Sequence, residues 1–223
     1  MTEWADALSD EQARRARREV CAHAAMSMAN LGSEARRFAT ESRGNADQAR
    51  CMLAAGLTGA IGCELLSGIV ALASGRWAYG AAALVRQLVE VEYLAWAVGH
   101  DPSDAIEWLK STKQQRLARW QPGKIRGRAD GRFPNTDYGY HCEAGGHPTP
   151  EAARTILDNR DAWVEIALYE AAHHGSNAWH YLVGAFQDFG IPLSDSLDRN
   201  HGALDAAIGE WRRLDRLTEL PNL

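Results

Sequence analysis

The stretch that most constrains the fold runs from Cys51 to Gly75, CMLAAGLTGAIGCELLSGIVALASG, and carries a single charged side chain, Glu64. A helix over this length is apolar around its whole circumference. It can sit in a bilayer, which about 20 apolar residues cross, or in the middle of a helical bundle. The centred carboxylate and the modest hydropathy of Ala and Gly favour the bundle, and Gly56, Gly59, Gly62 and Gly68 would let neighbouring helices come close. The expectation is a buried central helix over about residues 46–74, with no membrane involved.

The flanking sequence supplies helices to surround it. β-Branched residues are scarce, while Ala, Leu, Glu and Arg are abundant. Ser9 and Gln12 form a capping-box pattern that opens a long first helix over about 10–42, with Gly32 as the place for a kink. Asn45 to Asp47 cap the apolar helix. Leu84, Leu88, Val91 and Leu94 mark a third helix from Trp77 to about Val98, and Asp101 with Pro102 starts a fourth that reaches Trp120.

Residues 121–137 lack periodicity and read as one long loop. Beyond Tyr138, the Gly145–Gly146 pair offers positive φ and, with Pro148, breaks the chain before Thr149 and Pro150 start another helix. That helix, or a broken pair with a joint near Asp158, reaches Phe189, with a joint at Gly175 as a further alternative, and Ser194 or Ser196 opens the last helix. No segment alternates with period two. The fold class is therefore all-α, a single domain over residues 1–223 with six to seven helices.

The 223 residues hold 21 Arg but only 3 Lys, with much Ala and Gly, a bias that fits a high-GC bacterial gene. Cys51 and Cys63 would lie about 18 Å apart on one helix, too far for a disulfide, so reduced thiols are expected. Charges fill the N-terminal stretch where an export signal needs apolar residues, which points to a cytoplasmic protein.

Two places invite chemistry. In the third helix, Arg86 and Glu90 stand four residues apart and so share a face, with Glu92 beside them and Glu64 on the preceding helix. They form either an interior ion-pair network or one wall of a polar pocket. In the second, a Gly-Gly-His-Pro turn follows Tyr138, Tyr140, His141 and Glu143, and His147 in that turn is a candidate proton carrier. A candidate pocket of Arg86, Glu90, Tyr138 and His147 follows. Charge is also unevenly spread over the chain. Residues 110–132 carry eight cations against Asp130 alone, although the chain's net charge is -5. Arg116, Arg119, Lys124, Arg126, Arg128 and Arg132 thus form a basic edge suited to an anionic partner.

Arg86-x-x-x-Glu90, then Ala95-Trp96, the Asp101-Pro102 restart, Tyr138 and the Gly-His-Pro turn resemble a group of mainly actinobacterial all-helical proteins, HEPN-like in outline, over about residues 60–150. The resemblance implies a bundle of four or five helices that is often dimeric, and an effector or RNA-binding role without a cofactor. Its nuclease signature is Arg followed four to six residues later by His, late in the bundle. Here only Arg17 and Arg18 before His23 match that spacing, and they lie in the first helix.

A different reading is a metal-dependent, di-iron-like bundle enzyme acting on a small molecule, with iron or manganese held by Glu64, Glu92, Glu170 and His173 and with Glu19 and His23 nearby. Only one Glu-x-x-His occurs, Glu170 to His173, where the ferritin-like pattern has two. A third reading is a structural homodimer whose polar core only sets register. The eight Trp residues then serve as core or interface anchors.

Overall fold

In the computed structural model the described residues are 2–41 and 46–219. Among them are eleven α-helices and no strand. They are α1 (Thr2–Ser9), α2 (Glu11–Glu41), α3 (Ala46–Ser74), α4 (Ala78–His100), α5 (Pro102–Lys110), α6 (Lys113–Arg119), α7 (Pro122–Arg128), α8 (Asn135–His141), α9 (Pro150–Leu157), α10 (Arg160–Asp188) and α11 (Asp195–Leu214). A π-helical turn, Cys142–Gly146, continues α8, and a 3-10 turn, Arg216–Glu219, follows α11.

Four long helices, α2, α3, α4 and α10, form a ring in which each packs on the next and α10 closes back onto α2, while α11 lies along α2. Met28 sits beside Gly59 and Gly62, and Val91 beside Gly62, so α2, α3 and α4 alternate in direction. The fourth helix does not alternate. Glu92 meets His174, Gly99 meets Tyr181, and Arg17 meets Glu165, which makes α10 parallel to both α4 and α2. A parallel return needs a long crossover. Residues 101–159 supply it, and α5–α9 are built from it.

The apolar α3 spans the expected residues and buries Leu66 and Ile69 completely against α2, α4 and α10. It is the one described helix long and apolar enough to cross a membrane. Its burial is less complete than expected, because Leu57 and Ile61 are 44% and 47% exposed. Gly56 shows why the α2–α3 contact needs small residues: a Cβ there would collide with Ala35.

Local hydrogen bonding explains most differences from the sequence reading. Asp10, rather than Ser9, caps α2 by accepting from the Ala13 N–H at 2.9 Å, while the Ser9 hydroxyl donates to the Asp6 carbonyl. The expected cap at Asn45 lies outside the described residues. The fourth helix stops at Lys110 because Thr112 and Gln115 form a reciprocal capping box, which satisfies two backbone donors and starts α6. The expected long loop is largely helical. Ile125, Ala129 and Phe133 are spaced four apart and bury against Val89, Tyr93 and Ala97 of α4, which is enough apolar contact to order α7 and the approach to α8. The joint near Asp158 is present, whereas α10 passes unbroken through Gly175, which packs against Leu66.

Helix α1 and the turn after α11 are tied together by Arg17, which is fully buried. Its guanidinium donates to both oxygens of Asp215 (2.6 and 2.9 Å), to Glu165 (3.1 Å) and to the Ala7 carbonyl (2.9 Å). Asp215 also accepts from the Trp211 indole and the Leu217 backbone N–H. Removing the cation leaves Asp215 buried without a counter-charge, while Glu165 keeps Arg14 and Arg18, so Arg17→Met should lower unfolding stability by about 3–5 kcal/mol. Urea or thermal melts measure this directly, and a loss below about 1 kcal/mol would contradict the assignment.

Candidate metal centre

The centre forms where the crossover touches the bundle. A Cβ on Gly145 would run into the backbone of Ala82 and Ala83 on α4, and one on Gly146 into the Arg86 side chain. Neither glycine has positive φ. The pair therefore serves close approach, not the left-handed turn expected from the sequence. That approach lays the π-helical turn on α4 and buries His141, at the end of α8, to 3% exposure.

Three helices then deliver the donors. On α8, Asp137 and His141 are one turn apart, with Asp137 Oδ1 3.4 Å from His141 Nε2. On α10, Glu170 and His174 are also one turn apart, with Glu170 Oε2 3.3 Å from His174 Nε2. The two Nε2 atoms face each other at 3.2 Å, and Glu170 Oε2 lies 3.7 Å from that of His141. Behind His174, Glu92 of α4 engages Nδ1 at 2.5 Å. A neutral His174 therefore carries its proton on Nδ1 toward Glu92 and offers the Nε2 lone pair to the centre.

Without a metal, a proton holds this cluster together. Burial alone would depress the basicity of His174, but the charges and hydrogen bonds of Glu92 and Glu170 outweigh it and push the pKa up to about 10. Burial opposes ionisation of Glu170, yet the His174 hydrogen bond and the nearby imidazoles hold it below its usual range. Asp137 is lowered in the same way, by its bond to His141 and the charge on His174. His173 moves the other way, because burial and the His174 charge both keep it neutral. Its Nε2 lies 3.2 Å from the Asn177 amide nitrogen.

A cavity of about 410 Å³ opens on the cluster, within the usual range for small-molecule sites. Asp137, Glu170, His173 and His174 reach it, among aromatic walls that include Phe133, Tyr140 and Tyr169. Trp4 of α1 and Leu217 of the 3-10 turn complete one side, so the segments tied by Arg17 form part of the wall.

The sequence-derived candidates divide between several places. Arg86, Glu90 and Tyr138 do meet: the Tyr138 hydroxyl donates to Glu90 at 2.9 Å and accepts from Arg86 at 2.9 Å. His147 is exposed and takes no part in this group, because the chain is already extended there, beyond the π-helical turn. Of the metal candidates, Glu92, Glu170 and His173 converge on the cavity. Glu64 and Glu19 are exposed on outer faces of α3 and α2, and His23 is only half-buried on α2. The Arg17 of the Arg-to-His spacing is locked in its ion-pair network. The sequence reading noted His141 beside the turn but gave no ligand role to it, to Asp137 or to His174.

Much of the basic edge is used internally. Asp104 accepts from both Arg119 and Arg128. Arg126 stacks over Tyr138 with its Cζ 4.5 Å from the ring centre, and Arg116 donates to the Ser111 carbonyl. Lys124 is exposed.

The raised pKa of His174 adds stability to the metal-free protein that is complete below the ordinary value of 6.5 and disappears as pH rises through about 10. The lowered carboxyls Asp137 and Glu170 contribute stability present above their ordinary values of 3.8 and 4.5 and lost as pH falls through the depressed ones. Urea midpoints of metal-free protein should therefore decline from pH 7 to pH 10, and His174→Gln should flatten that decline. An unchanged slope in the variant counts against this account.

No protein family, curated protein or solved structure matches the chain, so the functional reading rests on the geometry of this centre.

Proposed function

We propose that the protein is a metal-dependent helical-bundle enzyme acting on a small molecule, with one divalent ion held by Asp137, His141, Glu170 and His174. The carrying observation is the pair of buried Nε2 atoms 3.2 Å apart, with carboxylate oxygens 3.3 to 3.7 Å away. Donors bound about 2.0–2.2 Å from one ion stand about 3 Å apart, so these spacings leave room for an ion with little rearrangement. Two imidazoles and two carboxylates suit iron(II), manganese or zinc.

The site has one centre where the di-iron pattern needs two, because Glu64, Glu19 and His23 point elsewhere. Bound there, the ion would supply Lewis acidity and a water acidified toward neutrality. The side chains around it have distinct tasks. Glu92 is a positioning residue that fixes the His174 tautomer, the carboxylates of Asp137 and Glu170 balance the charge, and the aromatic walls limit water. His173, kept neutral, is a hydrogen-bonding group next to the reaction space.

A HEPN-like module with RNA on the basic edge has less support, since Arg119 and Arg128 are already paired with Asp104. Nucleic-acid affinity that falls steeply with salt and with Lys124→Ala would favour that reading instead.

Titration of metal-free protein with Co²⁺ tests the metal reading. One ion per chain is expected, with ligand-field bands in the visible. His141→Ala and His174→Ala should abolish binding, Glu92→Gln should weaken it about 10–100-fold, and Glu64→Gln should leave it unchanged. Full binding by a His141→Ala/His174→Ala double variant would overturn it.

A further inference from the structure

We infer that the substrate is an aryl carboxylate, its ring against the aromatic walls of the cavity and its anionic oxygens between the metal position and Arg132. This rests on the metal reading above. Arg132 lines the cavity beside Phe133 and Pro134. Unlike Arg119 and Arg128, it has no carboxylate partner among the described residues. Its Nη1 lies 3.5 Å from the Tyr181 hydroxyl, and its Cζ lies 5.9 Å from the centre of that ring. The guanidinium is therefore placed by an aromatic rim, with its charge left for a ligand.

The other charges in the cavity wall point to the same ligand class. Asp137 and Glu170 face the metal position, and Glu92 faces His174. The sites left for a ligand's charge are thus cationic: an open metal position and Arg132. An organic cation would be repelled by both, and a neutral ligand would leave the guanidinium unused. A planar two-oxygen anion matches a guanidinium fork. The walls select the rest of the molecule. Phe133 is fixed by Tyr93 at 4.2 Å between ring centres and meets Tyr181 edge-on at 6.4 Å, while Trp4, Tyr140 and Tyr169 line other parts of the space. Such a surface favours a flat ring over an aliphatic chain.

The test uses full-length protein loaded with Co²⁺, and benzoate, benzamide and acetate as probes. Benzoate should shift the Co²⁺ bands and quench Trp fluorescence, with affinity about tenfold or more above benzamide, which lacks the charge, and above acetate, which lacks the ring. Arg132→Gln should reduce benzoate to the level of benzamide while Co²⁺ affinity stays unchanged. If Co²⁺ binds normally but benzoate does not bind, or binds no better than benzamide and acetate, the substrate inference falls and the metal reading stands. Loss of Co²⁺ binding altogether removes both. Undiminished benzoate binding by Arg132→Gln overturns the role assigned to Arg132.

Discussion

Glu92, Glu170, His141 and His174 are each at least nine-tenths buried where α4, α8 and α10 meet, and buried ionisable groups must satisfy one another or go uncharged. Here the pairing leaves a single position between two imidazole nitrogens and two carboxylates. A proton on His174 can fill it, which is why that imidazole is so basic in the metal-free protein. The proposed divalent cation would fill it with more charge and more bonds. On that proposal proton and metal would compete for the same position, since the neighbouring carboxylates that stabilise one would also stabilise the other.

Holding that position requires the rest of the fold. Because α10 runs parallel to α4, Glu170 and His174 lie alongside Glu92 rather than being carried away from it. The parallel return in turn forces a crossover long enough to hold α8, and the close contact at Gly145 sets α8 against α4 so that His141 faces inward. Asp104 fastens α6 and α7 through Arg119 and Arg128, and the small core around Ile125 and Phe133 anchors the approach to α8. The terminal segments close the remaining side, since Trp4 and Leu217 reach the cavity.

The bundle was legible because it is a periodic property. The apolar run over α3, the heptad-like spacing in α4 and the Asp101–Pro102 start all act locally, and the helices obey them. Helix α7 and the start of α8 were hidden by the Gly, Pro and Arg content of residues 121–137, although Ile125, Ala129 and Phe133 carried a one-turn repeat, and α6 was read as part of one helix reaching Trp120. The centre was half legible. Glu92, Glu170 and His173 were found from buried charge and from Glu-x-x-His, but the spacing that matters is four, as in Asp137–His141 and Glu170–His174. Glu19–His23 and Glu143–His147 share that spacing, with Glu19, Glu143 and His147 exposed and His23 only half-buried. Only the tertiary arrangement separates the two kinds, because it depends on which helix face meets a parallel partner 82 residues away in sequence.

Two buried ionic clusters in one small protein show how a structural network differs from a site. Around Arg17 a guanidinium makes four hydrogen bonds, both Asp215 oxygens are used, and the donors and acceptors of different helices meet directly. That arrangement binds α1 to the turn after α11 and offers nothing to a ligand. Around His174 the geometry has the opposite character. Two imidazole Nε2 atoms lie 3.2 Å apart between two carboxylates, and the cluster borders a cavity. Packing stability gives no reason to bury two imidazoles and two carboxylates at one point, because apolar side chains of the same volume would avoid the cost of burying them. The proposed cation would give such a reason, and a long crossover, a glycine pair and a supporting carboxylate hold that point beside the cavity.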